Sequence, residues 1–320
     1  MSVPRPSLAA ALEGGALVLD GGLSNQLEAQ GCDLSDELWS ARLLADDPGQ
    51  IEAAHTAYAR AGARVLITSS YQATYEGFAR RGIGREEAAA LLRRSVELAR
   101  TAAGGAAEGV AGGAAEASGA GGRAAAPVWV AASVGPYGAM LADGSEYRGR
   151  YGLSVDELER FHRPRIEALA GAGPDVLALE TVPDADEAAA MLRAVEGCGV
   201  PVWLSYSIAG EATRAGQALR DAFALAAGND QVIAVGVNCC EPGDADRAVE
   251  IAADTTGKPV VVYPNSGEEW DAEARSWRGQ ATFDPARVKA WQDAGARLIG
   301  GCCRVGPDRI AELAAVVTNH

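Results

Sequence analysis

The 320-residue sequence has few basic residues, few histidines and no long apolar run. Lysine and arginine number 28 against 43 acidic residues, so the formal net charge is -15. Nucleic acid and anionic membrane surfaces repel such a chain, and we expect neither as a partner. Because no apolar run approaches the ~20 residues that cross a bilayer, no membrane span is expected.

Cysteines are also scarce. Six in a chain of this length are too few for a disulfide scaffold. Residues 1–22 contain one early arginine, and Glu13 and several glycines interrupt the segment before an apolar core forms, so no signal peptide is expected. We therefore expect a cytoplasmic protein, in which clustered cysteines more often bind a metal or take part in catalysis.

Apolar residues make up 48% of the chain, enough to bury a core. Eight short, nearly continuous apolar runs alternate with longer segments rich in Ala, Leu, Arg and Glu. The runs are residues 16–22, 64–70, 127–135, 175–181, 201–207, 231–240, 259–265 and 297–303. The helical segments are residues 47–63, 84–103, 154–173, 182–199, 218–228, 243–257, 284–296 and 306–317. Eight such units predict a single-domain α/β (β/α)8 TIM barrel over residues 1–320; an open doubly wound sheet is the alternative.

Residues 104–126 do not fit this pattern. They are rich in glycine and alanine and contain almost no large apolar residue. We expect a flexible insertion before the third strand and assign it no function.

The polar residues of these runs fall mostly where a strand ends. The carboxyl ends of the strands form the active-site face of a barrel, so these residues should meet at one rim. Among them are two adjacent pairs, Cys239–Cys240 after the sixth run and Cys302–Cys303 after the eighth. Inward-facing side chains of alternate strands share a layer, so Cys239 or Cys240 can face Cys302 and Cys303.

Successive side chains of a strand point to opposite faces, so the backbone must bend for Cys302 and Cys303 to reach one point. We expect Gly300 and Gly301 to permit that bend. Three thiolates around one point suit Zn2+ with a fourth position open, as in catalytic zinc sites. Two alternatives stay open: small buried residues that only pack, and a vicinal redox disulfide.

A three-thiolate zinc ion is formally anionic and therefore a poor Lewis acid for splitting water. It can still bind an incoming thiol and remove its proton at neutral pH. The expected reaction is attack of a substrate thiolate on an alkyl donor. No histidine base is needed, and we interpret His55, His162 and His320 as surface or helix-packing residues.

Two carboxylates lie at the same rim. Glu180 ends an apolar strand, where a carboxylate is costly unless a cation pairs with it. That cation is either a substrate ammonium or a structural Arg or Lys. Asp20 precedes two glycines, and its loop either offers backbone N–H groups to a carboxylate or only makes a turn. Together they would bind an amino acid that carries a thiol.

Seven motifs over nearly the whole chain outside 104–126 resemble the homocysteine S-methyltransferases, most closely the branch that uses S-methylmethionine. They are LDGGLSNQLEAQGCDL, SYQATYEGF, VGPYGAMLADGSEYRGRY, LALETVPD, GVNCCEP, VVYPNSGEEWD and LIGGCCR. The resemblance implies a zinc-dependent barrel, with one Zn2+ per chain, that moves a methyl group from a sulfonium donor to homocysteine and forms methionine.

The resemblance also implies roles for individual residues. The zinc ligands would be Cys239, Cys302 and Cys303, and Cys240 would only pack. Glu180 would bind the homocysteine amino group. The remaining residues on the homocysteine side would be Asp20, the backbone amides of Leu23 and Ser24, and Asn238 of the GVNC motif.

The methyl donor is indicated less directly. Betaine-using relatives carry a Tyr where Thr181 stands here, which counts against betaine. Aromatic faces favour a sulfonium cation, and the candidates at the rim are Tyr71, Gln72, Tyr137, Tyr263 and Asn265. S-adenosylmethionine as donor and selenohomocysteine as acceptor are alternatives, as is a thiol redox or zinc-buffering protein without methyl transfer.

Overall fold

The computed structural model describes residues 5–35, 38, 40–115, 126–271 and 276–317. Its centre is one sheet of eight parallel strands, with sheet order β1-β8-β7-β6-β5-β4-β3-β2. The strands are β1 (Leu17–Val18), β2 (Val65–Ile67), β3 (Trp129–Val134), β4 (Val176–Val182), β5 (Val202–Tyr206), β6 (Val232–Asn238), β7 (Val260–Tyr263) and β8 (Ala296–Ile299). Each predicted apolar run overlaps one of them, and only β4 and β8 extend a residue beyond their runs.

The sheet closes on itself between β1 and β2. Leu19 forms an isolated parallel bridge with Val65, and the Arg64 amide donates to the Val18 carbonyl at 2.7 Å. The predicted (β/α)8 barrel is therefore confirmed, and the open doubly wound sheet is wrong. Two short antiparallel hairpins extend the carboxyl-end loops, Ile208–Ala209 with Ala212–Thr213 and Glu269–Asp271 with Ser276–Arg278.

Helices follow the strands around the barrel, and each predicted helical segment overlaps one. The helices are α1 (Leu8–Glu13), α2 (Leu23–Ala29), α3 (Ser40–Asp46), α4 (Pro48–Arg60), α5 (Tyr75–Arg80), α6 (Arg85–Ala115), α7 (Tyr137–Leu141), α8 (Val155–Ala170), α9 (Ala185–Ala194), α10 (Leu219–Ala224), α11 (Pro242–Thr256), α12 (Arg287–Asp293) and α13 (Pro307–Val317). The sequence pattern missed α1, α2, α3, α5 and α7, which are too short to show a clear period. Within the described residues, no helix is long and apolar enough to cross a membrane.

Helix α6 corrects one expectation. It continues to Ala115, so the first half of the segment 104–126, which was expected to be an irregular insertion, is helical. Alanine has the highest helix propensity, and extending a formed helix costs less than starting one, so the interspersed glycines do not end it. Residues 116–125 of the predicted insertion lie outside the described residues.

The core has two parts. The larger lies between the strands and the surrounding helices, and the smaller fills the barrel. Leu8 and Leu12 of α1 pack into the smaller part, and the Trp129 indole donates to the Pro6 carbonyl at 3.1 Å. Because Trp129 is the first residue of β3, α1 covers the amino-terminal end of the barrel. The polar strand ends lie at the opposite, carboxyl end.

Candidate active site at the carboxyl end of the barrel

Three cysteine sulfurs meet at the carboxyl end of the barrel. The Sγ atoms of Cys239 and Cys302 are 2.7 Å apart, and those of Cys302 and Cys303 are 3.9 Å apart. All three sulfurs lie within 4.8 Å of one another. Cys240 instead points into the core between strands and helices, where it is fully buried. The structure thus selects Cys239 over Cys240, which the spacing alone left open.

An unusual backbone conformation turns Cys239 toward the other sulfurs. Its φ is +49°, a left-handed value that costs free energy for a residue other than glycine and is found at functional sites. Thr181 at the end of β4 has φ +57°. The Asn238 side chain accepts from the Thr181 amide and donates to its hydroxyl, both at 2.7 Å. The Thr181 hydroxyl in turn donates to Cys239 Sγ at 3.8 Å, so Asn238 and Thr181 hold Cys239 in place.

Gly300 and Gly301 do not have the role in bending the backbone that we expected from the sequence. Neither has a positive φ, so they do not supply a bend that only glycine can adopt. A Cβ on Gly300 would lie 2.6 Å from Leu19 Cβ, and one on Gly301 would lie 2.5 Å from the Val305 side chain. The glycines are needed because β8 passes so close to the first-strand loop and to Val305.

Hydrogen bonds from the backbone amides of the other two cysteines to the loop after β7 hold them in position. The Cys302 amide donates to the Pro264 carbonyl at 2.7 Å, and the Cys303 amide donates to Asn265 Oδ1 at 3.2 Å. Asn265, a donor-site candidate, therefore supports Cys303.

The donor set fits a thiophilic metal ion. Zinc–sulfur bonds of about 2.3 Å place tetrahedral ligand sulfurs about 3.8 Å apart. The Cys302–Cys303 separation of 3.9 Å matches this spacing, whereas the 2.7 Å between Cys239 and Cys302 would have to widen by about 1 Å. Hydrogen bonds from the Cys239 and Cys302 thiols lower the pKa of the Cys303 thiol. All six cysteines are free, which disfavours the vicinal disulfide.

Glu180 is a buried carboxylate at the end of β4. The Ser133 hydroxyl donates a short hydrogen bond to it. No Arg or Lys among the described residues forms an ion pair with Glu180, which removes the structural cation considered from the sequence. The pKa of Glu180 is raised to about 8, mainly by burial and to a lesser degree by the nearby Cys239. The hydrogen bond from Ser133 acts in the opposite direction and lowers this pKa. The carboxylate thus lacks a cationic partner beside the sulfur cluster.

Asp20 and Tyr263 are engaged with each other inside the barrel. Asp20 Oδ2 accepts from the Ile67 amide at 2.7 Å, and the Tyr263 hydroxyl lies 3.1 Å from Asp20 Oδ1 and 2.9 Å from the Gly21 carbonyl oxygen. Burial raises the pKa of the Asp20 carboxyl well above its usual range. Both side chains therefore fix the loop after β1.

That loop places the start of α2 next to the cysteines. A Cβ on Gly22 would lie 2.6 Å from the Cys302 carbonyl oxygen. Helix α2 begins at Leu23 with Gly22 as its N-cap. The amides of Leu23 and Ser24 lie in its first turn, where N–H groups have no acceptor within a helix.

Of the aromatic donor candidates, Tyr71 lies near the site. A Cβ on Gly135 would lie 2.7 Å from its ring. Burial, with Glu146 and Cys239 nearby, raises the pKa of the Tyr71 hydroxyl, and a hydrogen bond with Thr181 opposes this. The neighbouring Gln72 is buried and donates to the Ala139 carbonyl at 3.2 Å.

Tyr137 belongs to a different group. Its ring packs 4.9 Å from the Phe161 ring, and its amide donates to Glu187 Oε1, which also lies 2.9 Å from His162 Nε2. Arg165 donates to His162 Nδ1 at 2.7 Å. This buried network lies behind the end of β3. It confirms the interpretation of His162 as a helix-packing residue.

His55 is also fully buried, in α4. Burial lowers the pKa of its imidazole to about 4, so it is neutral at physiological pH. It packs within a helix as expected. His320 lies outside the described residues.

Three residues near the cysteines do not lie at a strand end, and the sequence analysis therefore missed them. Glu146 and Tyr147 belong to a 3-10 helix, Ser145–Tyr147, in the loop after α7. The Arg214 guanidinium lies 5.6 Å from the Tyr147 ring centroid. Glu146 and Tyr147 belong to the sequence motif GSEYRGRY. This motif begins about ten residues after the end of β3, too far along the chain to be counted as a strand end.

Comparison with known proteins places these observations in a family. The family model described as homocysteine S-methyltransferase matches residues 17–317. Homocysteine S-methyltransferase of Escherichia coli is 45% identical over 93% of this chain and 94% of that protein, and homocysteine S-methyltransferase YbgG of Bacillus subtilis is 43% identical over 93% of each. The crystal structure of the Escherichia coli homocysteine methyltransferase MmuM in its metallated form is 44% identical and covers 96% of this chain and 98% of that one, with a TM-score of 0.82.

Proposed function

The chain belongs to the homocysteine S-methyltransferase family, and from that premise we propose that it is a zinc enzyme whose methyl donor is S-methylmethionine. It is a methyltransferase that forms methionine from homocysteine. The proposal of a metal rests on one observation: the Sγ atoms of Cys239, Cys302 and Cys303 lie within 4.8 Å of one another. These three residues would hold one zinc ion per chain.

Zinc bound there would keep the homocysteine thiol deprotonated and nucleophilic at neutral pH. The protein's own contribution is to fix the sulfur ligands. Asn238 and Thr181 hold Cys239, and Asn265 holds Cys303. A metallated crystal form of the similar MmuM protein supports a metal at this site.

Homocysteine would bind between the cysteines and the ends of β1 and β4. Its ammonium would neutralise Glu180, which is buried without a cationic partner among the described residues. Its carboxylate would accept from the first-turn amides of Leu23 and Ser24, since Gly22 packs against Cys302. Asp20, through its bonds to Ile67 and Tyr263, would hold this loop in position.

Methyl transfer needs no strong general acid. A bond forms between the homocysteine sulfur and the methyl carbon as the donor carbon–sulfur bond breaks, and the electron pair returns to the donor sulfur. The donor loses its positive charge and leaves as methionine, while the acceptor thiol proton goes to solvent. The chain's residues contribute by holding the two sulfurs in line, which is an effect of proximity.

The donor proposal is tested by methionine formation from homocysteine with S-methylmethionine or with S-adenosylmethionine. We expect kcat/KM to be at least tenfold higher with S-methylmethionine. A higher value with S-adenosylmethionine would contradict the proposed donor but not the family reaction. Turnover with neither donor would contradict the proposed function.

A further inference from the structure

A buried carboxylate lies at the mouth of the barrel with no partner that explains it. Glu146 is 6% exposed, and among the residues that the structure describes its Oε2 atom has no hydrogen-bond partner. The backbone around it is packed tightly, because a Cβ on Gly138 would lie 2.5 Å from the Glu146 amide. Burying an unpaired carboxylate destabilises a fold, so Glu146 is poorly explained as a structural residue.

A cation lies over the ring of the neighbouring tyrosine. The Arg214 guanidinium lies 5.6 Å from the Tyr147 ring centroid. Its Nε donates to Ser207 Oγ at 3.4 Å, and Ser207 Oγ donates to the Cys239 carbonyl at 3.4 Å. Within the described part of the chain, the two terminal nitrogens of Arg214 form no hydrogen bond or ion pair. Arg214 is thus tied to the cysteine loop but keeps its hydrogen-bonding edge free.

Glu146 and Tyr147 lie within electrostatic range of the cysteine sulfurs. Burial raises the pKa of Glu146 to about 7, and the Cys239 sulfur contributes to that rise. Burial and the sulfurs of Cys239 and Cys303 raise the pKa of the Tyr147 hydroxyl. Tyr147 as a whole residue is nevertheless 40% exposed, so part of it faces solvent.

The reaction brings together two amino acids, and each has an ammonium and a carboxylate. The proposed function uses Glu180 and the α2 amides for the acceptor. The donor then needs a second anion for its ammonium, a cation for its carboxylate and an aromatic face for its sulfonium.

We propose that Glu146, which precedes Tyr147 in the chain, and Arg214, which lies over the Tyr147 ring, bind the α-amino-acid end of the sulfonium donor. Glu146 pairs with the donor ammonium, Arg214 pairs with the donor carboxylate, and the Tyr147 ring lies against the cationic chain between them. This inference rests on the proposed function and adds the residues that select the donor.

The test is steady-state kinetics of Glu146→Gln and Arg214→Gln with both substrates varied. Loss of a charged hydrogen bond predicts that the KM for S-methylmethionine rises about tenfold to a hundredfold. The KM for homocysteine should stay within about twofold, whereas Glu180→Gln should show the reverse pattern. Exposed residues provide matched controls, Glu211→Gln and Arg220→Gln, for which neither KM should change.

A donor analogue separates the two roles. Dimethylsulfoniopropionate has the sulfonium and the carboxylate but no ammonium. Glu146→Gln should leave the inhibition constant of this analogue unchanged, whereas Arg214→Gln should raise it. Arg214→Lys, which keeps the charge, should recover part of the donor KM.

An unchanged donor KM in either Gln variant, at wild-type metal content, would overturn the inference. A rise in both KM values together would show a general distortion of the site and would also overturn it. A wild-type protein that does not turn over S-methylmethionine would instead contradict the proposed function. Should Glu146→Gln fail to fold, the Arg214 variants test the same subsite independently.

Discussion

Individual residues of the site are held in states that are unfavourable by themselves. Cys239 and Thr181 adopt left-handed backbone conformations, and Glu180 and Glu146 are buried carboxylates without a cation among the described residues. The surrounding hydrogen bonds, above all those of Asn238, maintain the strain. A site of this kind is ready to bind cationic groups without rearranging, at some cost to stability.

Glu146→Gln should therefore stabilise the metal-free protein at alkaline pH. The pKa of Glu146 is raised from 4.5 to about 7, so the folded state holds this proton more tightly than the unfolded state does. The free energy of unfolding of the wild type therefore falls as pH rises from about 4.5 to about 7, and it falls no further above that pH. The variant has no carboxyl group at this position and does not show this decrease. The gain should reach about 3 kcal/mol at pH 8 and vanish near pH 4.5.

Urea unfolding of the two proteins at pH 5 and pH 8, with a reductant and a chelator, measures this difference. Glu211→Gln, at an exposed position, serves as the control and should show no such pH dependence. A difference of the same size at both pH values would mean that the side chain acts through packing.

At the scale of elements, the strands were predictable and the loops were not. Strands buried on both faces appear as nearly continuous apolar runs, so all eight were found together with the helices after them. The same rule located the cysteine pairs and Glu180. It could not choose between Cys239 and Cys240, because that choice depends on the φ of one residue. Nor could it find Glu146 or Arg214, which a loop and a hairpin bring to the site.

The turn after β8 is an element whose packing limits the site. Gly300→Ala should move this turn, because the new Cβ would lie 2.6 Å from Leu19 Cβ and 2.8 Å from the Asp20 carbonyl oxygen. We expect a stability loss of about 1–3 kcal/mol and weaker zinc binding, measured by chelator competition. Gly306→Ala in the same loop is the control, since no atom of the described residues lies within 4 Å of its Cβ position. Unchanged zinc binding in Gly300→Ala would show that the turn has room to adjust.

At the scale of the whole molecule, the barrel separates stability from chemistry. Helix α1 fills the amino-terminal end with Leu8 and Leu12, while the cysteines and carboxylates lie at the carboxyl end. A substitution at one end should therefore leave the structure of the other end unchanged, because the closely packed strands between them do not rearrange.

Leu12→Ala tests this separation. Leu12 is 2% exposed, and its truncation should lower the free energy of unfolding by about 2–5 kcal/mol. At a temperature where the variant is folded, zinc content and kcat should equal those of the wild type. Glu13→Ala, exposed on the same helix, should change neither quantity. A fall in kcat for folded Leu12→Ala would show that the two ends are coupled.

The central claim is that Cys239, Cys302 and Cys303 hold the metal on which methyl transfer depends. It is tested most directly by titrating zinc into the metal-free, reduced protein and measuring methionine formation at each step. We predict that the rate rises in proportion to bound zinc and stops at one zinc per chain, and that Cys302→Ser shows neither tight binding nor a rate, while Cys198→Ser matches the wild type. Full activity in the metal-free protein, or a rate that does not follow bound zinc, would contradict the account.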